Sequence, residues 1–123
     1  MFKIVHFEIG ADDPDRAQKF YKDIFGWNME KMEGEGEYWL ITAGSEKDPG
    51  INGGLFKRPG PVNSNTINTV EVPSVDEYIK KITDSGGKIV QAKQAIAGVG
   101  WLAYFQDPEG NYLGILQNDE TAG

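Results

Sequence analysis

The chain has 123 residues, 39% of them hydrophobic and 11% aromatic, which suits one globular domain with a real core and excludes a disordered segment. A formal net charge of −7 and a pI of about 4.6 give a surface that repels phosphate backbones and anionic lipid, so neither nucleic acid nor a membrane is an expected partner. The lack of cysteine excludes disulfides, thiolate metal sites and cysteine nucleophiles, and with no signal-like or membrane-spanning apolar run the expected location is cytoplasmic.

The first element alternates. Val5, Phe7 and Ile9 share one face and Ile4, His6 and Glu8 the other, which predicts a half-buried strand. Asp13 followed by Pro14 reads as a helix cap with proline in the first helical turn, and Ala17, Phe20, Tyr21 and Ile24 give that helix its apolar stripe. Gly26 ends it in the left-handed region. Trp27 to Lys31 then reads as a strand, Glu33, Glu35 and Glu37 as a solvated turn, and Tyr38-Trp39-Leu40-Ile41 as a further strand. Asp48-Pro49-Gly50 marks a turn before Gly54-Leu55-Phe56.

The second half repeats this plan at an interval of about sixty residues. Val70 and Val72 lie in a strand, Ser74 with Glu77 forms a capping box, and Val75, Tyr78, Ile79 and Ile82 form the stripe. Gly86 and Gly87 stop the helix, and Lys88 to Ala92 reads as the next strand. Trp101 answers Trp39, Asp107-Pro108-Glu109-Gly110 answers the earlier turn, and Gly114 answers Gly54. Each half therefore reads strand, helix, strand, strand, strand. The expected fold is α+β: one domain over residues 1–123 made of two tandem βαβββ modules, 1–58 and 62–118, curled into a cupped mixed sheet, with Pro59-Gly60-Pro61 as the seam and 119–123 as a frayed tail. Gly98-Val99-Gly100 reads as a flexible loop at the mouth of a cleft between the halves.

Val5-His6-Phe7-Glu8-Ile9, Asp13-Pro14-Asp15-Arg16-Ala17, and Phe20-Tyr21 before Phe25-Gly26-Trp27 resemble the opening of the glyoxalase/bleomycin-resistance/dioxygenase, or vicinal-oxygen-chelate, superfamily. Ala103-Tyr104-Phe105-Gln106-Asp107-Pro108-Glu109-Gly110-Asn111 resembles its closing hairpin. The resemblance covers nearly the whole chain. It implies a small-molecule ligand and a homodimer, but no single activity, because the superfamily spans isomerases, dioxygenases, epimerases and drug-binding resistance proteins. In metal-using members it implies four ligand positions. His6 matches one; the others fall on Gly54, on or beside Ile67 with neighbours Thr66 and Asn68, and on Gly114. One histidine does not hold a divalent cation alone. The expectation is thus a protein without metal or other cofactor; the alternative is a divalent metal at His6 with help from Glu8 and Glu71.

Three functions compete at this level. In the first, a metal-free binding module holds a small, partly aromatic or apolar molecule, with Gly54 and Gly114 opening space and Trp39, Phe56, Trp101, Tyr104 and Tyr112 as walls or hydroxyl donors. In the second, a lyase, isomerase or dioxygenase uses His6 as base or metal ligand, with Glu8 orienting it. In the third, the chain is an interaction domain whose cleft Trp39, Trp101 and Phe56 fill. No nucleophile elbow, phosphate loop or HExxH is present.

Overall fold

A computed structural model describes residues 1–34, 36–58 and 66–123. Glu35 and the expected seam at Pro59-Gly60-Pro61 lie outside the described residues. The elements run β1 (Ile4–Ala11), α1 (Pro14–Phe25), β2 (Asn28–Lys31), β3 (Tyr38–Thr42), β4 (Gly53–Lys57), β5 (Thr66–Glu71), α2 (Val75–Asp84), β6 (Lys88–Ile96), β7 (Gly100–Gln106) and β8 (Tyr112–Asn118). This is the expected strand, helix, three-strand order, twice over, in an α+β chain. The chain divides into two units: His6–Thr66, and Ile67–Gly123 together with Met1–Val5.

In the amino-terminal unit the strands run in the order β2, β3, β4, β1, with β1 parallel to β4 and the others antiparallel. Alternation sorts the side chains. Phe7, Ile9 and Ala11 of β1 fall on the face that packs with Ile41, Leu55, Ala17, Trp27, Met29 and Trp39. Ile41 and Leu55 are essentially sealed from solvent, and each such side chain contributes roughly 1.5–3 kcal/mol by burial. His6, Glu8 and Gly10 take the opposite face of β1, as Gly54 and Phe56 do on β4 and Tyr38 and Leu40 on β3. Asp13 caps α1 by accepting from the Arg16 N–H at 3.1 Å, Pro14 opens the helix, and Gly26 closes it at φ 70°.

The apolar stripe of α1 is only half used. Ala17 packs on the core and Tyr21 stacks against Trp27, but Phe20 and Ile24 are more than half exposed. A stripe this wide presents more apolar surface than one short sheet covers, so its outer edge faces solvent.

In the carboxy-terminal unit the order is β5, β8, β7, β6, with β5 parallel to β8. Residues 1–5 belong here: the Phe2 N–H donates to the Glu71 carbonyl at 2.8 Å, and the Glu71 N–H donates to the Lys3 carbonyl at 2.9 Å. Val72, Val75, Ala103 and Ile115 form the core, and Tyr78, Ile79 and Ile82 of α2 pack against it. Ser74 accepts from the Glu77 N–H at 3.2 Å, and the Val75 N–H donates to the Gln117 side chain at 3.0 Å, so two of the open N–H groups at the helix start are satisfied.

Two expectations need correction here. The last residues are not frayed. Asp119 accepts from the Trp101 indole N–H at 3.1 Å and from the Thr121 hydroxyl at 2.6 Å, and the Gly98 N–H donates to the Ala122 carbonyl at 3.0 Å. Nor is Gly98-Val99-Gly100 a free loop. It turns from β6 into β7 with Gly98 at φ 73°, and the Val99 carbonyl accepts from the Asp119 N–H at 2.9 Å. The tail and this hairpin hold each other, a pairing invisible in local sequence.

Candidate functional site

The polar residues of the amino-terminal unit gather on the face of the sheet opposite its core. Strand alternation puts His6 and Glu8 two residues apart on β1, and the parallel register sets Glu8 beside Gly54 of β4. β3 runs antiparallel on the far side of β4, pairing Leu40 with Gly54 and Tyr38 with Phe56. Tyr38 lies diagonally across Gly54, where glycine leaves room for an aromatic ring. A methyl group placed on Gly54 would collide with the Tyr38 ring and hydroxyl.

That placement carries the Tyr38 hydroxyl to His6 Nε2 at 2.9 Å, within reach of the Glu8 charge. Glu8 is 7% exposed, while His6 and Tyr38 are half-buried and keep solvent-facing surface. Burial, then the charge of Glu8, push the Tyr38 hydroxyl far above the usual tyrosine range, so it stays protonated. Burial draws the His6 imidazole below its usual value, and the Glu8 charge opposes this only partly, so His6 is neutral at pH 7. Phe56 completes the patch; its ring edge lies 3.0 Å from where a Gly10 side chain would begin.

The carboxy-terminal unit repeats the strand pairing with different side chains. Thr69 of β5 pairs with Gly114 of β8, as Glu8 pairs with Gly54, which makes Ile67 the counterpart of His6. Tyr104 sits directly across from Gly114, and a Gly114 side chain would start 3.2 Å from its ring. Tyr112 shares the alternation of Gly114 at the start of β8. Glu71 on this unit accepts from the Asn118 amide at 2.7 Å.

Trp39 and Trp101 lie on the packed faces. Trp39 pairs with Leu55 and packs on its cluster; Trp101 packs on the Ala103 and Ile115 cluster, donates to Asp119, and carries Lys93 4.7 Å above its ring. Their register also differs. Trp39 stands opposite the residue after Gly54, whereas Trp101 stands opposite Gln117, three after Gly114. The glycines and the tryptophans therefore do not match in the two halves at once. The reason is the connection: β3 and β4 are joined by residues 43–52, whereas β7 and β8 are joined by a tight turn in which the Asp107 carboxylate accepts from the Glu109 and Asn111 N–H groups at 2.9 and 2.8 Å.

The four positions at which metal-using relatives are expected to place ligands carry His6, Gly54, Ile67 and Gly114, and the space beside Gly54 is filled by Tyr38. Among the described residues no three His, Asp or Glu side chains converge to hold an ion. The described residues there supply one imidazole and one carboxylate, fewer donors than the three or more that hold a metal ion in the usual sites. Sequence reasoning missed Tyr38. It read the residue only as part of a strand, because its role depends on the β3–β4 register. Two surface hollows, of about 340 and 320 Å³, flank the β1–α1 turn, one beside Arg16, Phe20 and Arg58 and the other beside Asp13, Trp39 and Lys57; His6 and Tyr38 line neither.

Comparison with known proteins agrees with this architecture. The chain matches the mycobacterial "Putative glyoxylase CFP32" of Mycobacterium tuberculosis at 26% identity over 94% of this chain and 46% of that protein. It matches "Anthracycline biosynthesis protein DnrV" of Streptomyces peucetius at 24% over 95% and 49%. The chain thus spans about half the length of the curated relatives it matches. Among solved structures, methylmalonyl-CoA epimerase from Mycobacterium tuberculosis aligns with a TM-score of 0.69 at 12% identity, over 94% of this chain and 87% of that one. The hypothetical protein BH1468 of Bacillus halodurans aligns with a TM-score of 0.72 at 14%, over 98% and 97%. Both likenesses concern the fold. The family model for the Glyoxalase/Bleomycin resistance protein/Dioxygenase superfamily matches residues 3–115, and the chain belongs to that superfamily.

Proposed function

We propose that this protein is a metal-free member of its superfamily that binds a small, partly aromatic or apolar molecule on the open sheet face carrying His6, Glu8, Tyr38, Gly54 and Phe56. The supporting observation is the Tyr38 side chain, which takes the space beside Gly54 and meets His6 Nε2 in a 2.9 Å hydrogen bond. Half-buried polar groups beside an aromatic ring suit orientation of a small ligand. Gly114, Tyr104 and Tyr112 form the corresponding surface of the other unit, while Trp39 and Trp101 are left to packing. The solved relatives with coenzyme A esters, such as methylmalonyl-CoA epimerase in complex with methylmalonyl-CoA and NH4+, support small-molecule binding as the general use of the fold.

A thermal-shift screen with small aromatic metabolites tests the proposal, since a ligand of the native state raises the melting temperature by mass action, with the logarithm of its concentration above the dissociation constant. A concentration-dependent rise that disappears in Phe56→Ala is expected; a broad screen without such a rise would count against binding. The competing reading makes His6 a general base in an isomerase or lyase. Its neutral state at pH 7 favours that reading, and turnover lost in His6→Gln would establish it. Pairing of two copies in the cytoplasm belongs to the same proposal. The exposed Phe20, Ile24 and Phe25 of α1 support it, and sedimentation at micromolar concentration tests it.

A further inference from the structure

We infer that the hollow of about 340 Å³ between the end of β1 and α1 is a second ligand site, one that takes a small amphipathic carboxylate with its apolar body against Phe20 and Tyr21 and its charged end on Arg16. The site is distinct from the open-face site proposed above, whose His6, Tyr38 and Gly54 do not line it.

The walls are apolar and held from behind. Phe20 meets Tyr21 edge to face at 5.3 Å, and Tyr21 stacks on Trp27 at 5.3 Å, so both rings are placed by neighbours before a ligand arrives. Phe20 is 57% exposed, so this part of the α1 stripe has apolar surface left to bury against a ligand. Ala17 and the Gly10 backbone close the inner side. The volume lies at the small end of the roughly 300–1,000 Å³ usual for ligand pockets, which is room for a single ring.

The charges sort by partner. Among the described residues Asp12, Asp13, Arg16 and Arg58 bring charge to this hollow. Asp12 accepts from Arg58 Nε at 3.1 Å, and Asp13 accepts from the Arg16 N–H as the α1 cap. Both carboxylates are therefore engaged. The Arg16 guanidinium has no ion pair or side-chain hydrogen bond among the described residues. A guanidinium presents a planar fork of donors that matches a carboxylate in two parallel bonds. The neighbouring hollow of about 320 Å³ is the opposite case: there Asp15 and Glu37 join Asp12 and Asp13 around Lys57, a setting that repels an anion. The net charge of −7 opposes an anion chiefly at long range, where salt screens exposed charges beyond about 8 Å.

Benzoate and its neutral counterpart benzamide are the probes, followed by 1H–15N NMR of the labelled protein. Benzoate is expected to shift the Gly10, Ala11 and Ala17 amides together and to bind about 10-fold more tightly than benzamide, the worth of one charge-assisted bond. Arg16→Gln, a change that the exposed third position of α1 tolerates, is expected to erase that margin while benzamide binding and the melting temperature stay as in the parent. Phe20→Ser is expected to weaken both probes alike. Added salt is expected to weaken benzoate and spare benzamide. His6→Gln is expected to leave benzoate binding unchanged, which separates this site from the open face. A margin that survives Arg16→Gln, binding unmoved in Phe20→Ser, or no saturable shift with either probe overturns the site. Shifts centred on Gly54 and Phe56 and lost in His6→Gln overturn it as well, and place the carboxylate on the open face instead.

Discussion

The two units solve one packing problem alike and differ in what they do with it. Each lays a tyrosine over a glycine on the open face of a parallel strand pair: Tyr38 over Gly54, and Tyr104 over Gly114. In the amino-terminal unit the neighbours are His6 and Glu8, and the tyrosine hydroxyl bonds to the His6 ring. In the carboxy-terminal unit the same places hold Ile67 and Thr69. The aromatic cover over glycine recurs in both units, whereas the histidine and the carboxylate beside it stand in the amino-terminal one. Fold membership therefore says little about activity here, and the asymmetry between the halves says more.

The sharpest way to break this comparison is to fill both glycines. Gly54→Ala pushes a methyl group into the Tyr38 ring and is expected to cost about 2–3 kcal/mol in urea unfolding. Gly114→Ala meets the Thr69 hydroxyl at 2.8 Å and the Tyr104 ring at 3.2 Å, a much smaller overlap than at Gly54, and is expected to cost about 1 kcal/mol. Equal costs would mean that Tyr38 is no more committed than Tyr104. In a Tyr38→Ala background Gly54→Ala should cost little, because residues in contact couple.

Next in size are the helix caps, where the units should agree. Asp13→Ala and Ser74→Ala each remove one side-chain acceptor from an N-terminal N–H, and each is expected to cost about 1 kcal/mol. A much larger loss at Ser74 would show that α2 depends on its cap more than α1 does, against the matching geometry.

The smallest effect is one that the carboxy-terminal half of the sequence, lacking histidine, does not share. The folded-state pKa of His6 lies below its unfolded value because burial disfavours the cation. Between those two values the unfolded chain binds more protons, so the contribution of His6 is present above pH 6.5 and is lost as pH falls through the folded value. Comparing urea stability at pH 7.5 and 5 in the parent and in His6→Gln isolates it. The parent should lose more stability on acidification than the variant; an equal loss would place the imidazole in open solvent.

Much of the fold was legible in local signals. Asp13-Pro14, Gly26 and Ser74 do as caps and stops what their chemistry demands, and alternation placed His6 and Glu8 on the face away from Phe7 and Ile9. The site was legible only in part. His6, Glu8, Gly54 and Phe56 were named from strand patterns, but Tyr38 enters through a register set by residues 43–52, where the Asn52 side chain accepts from the Ala43 and Gly44 N–H groups at 2.9 and 3.2 Å. The Trp39 and Trp101 match was misleading for the same reason: a two-residue slip preserves the face of a strand but not the partner across it. The anchored tail depended on Asp119 reaching Trp101, a contact no local pattern announces.

Elemental analysis addresses the central proposal most directly, namely that a tyrosine hydroxyl rather than an ion is the partner of His6 in this site. Tag-free protein would be incubated in turn with nickel, zinc, manganese and ferrous ions, then desalted and analysed. The account predicts no more metal on the parent protein than on His6→Ala. Near-stoichiometric metal on the parent, absent from His6→Ala, would contradict it.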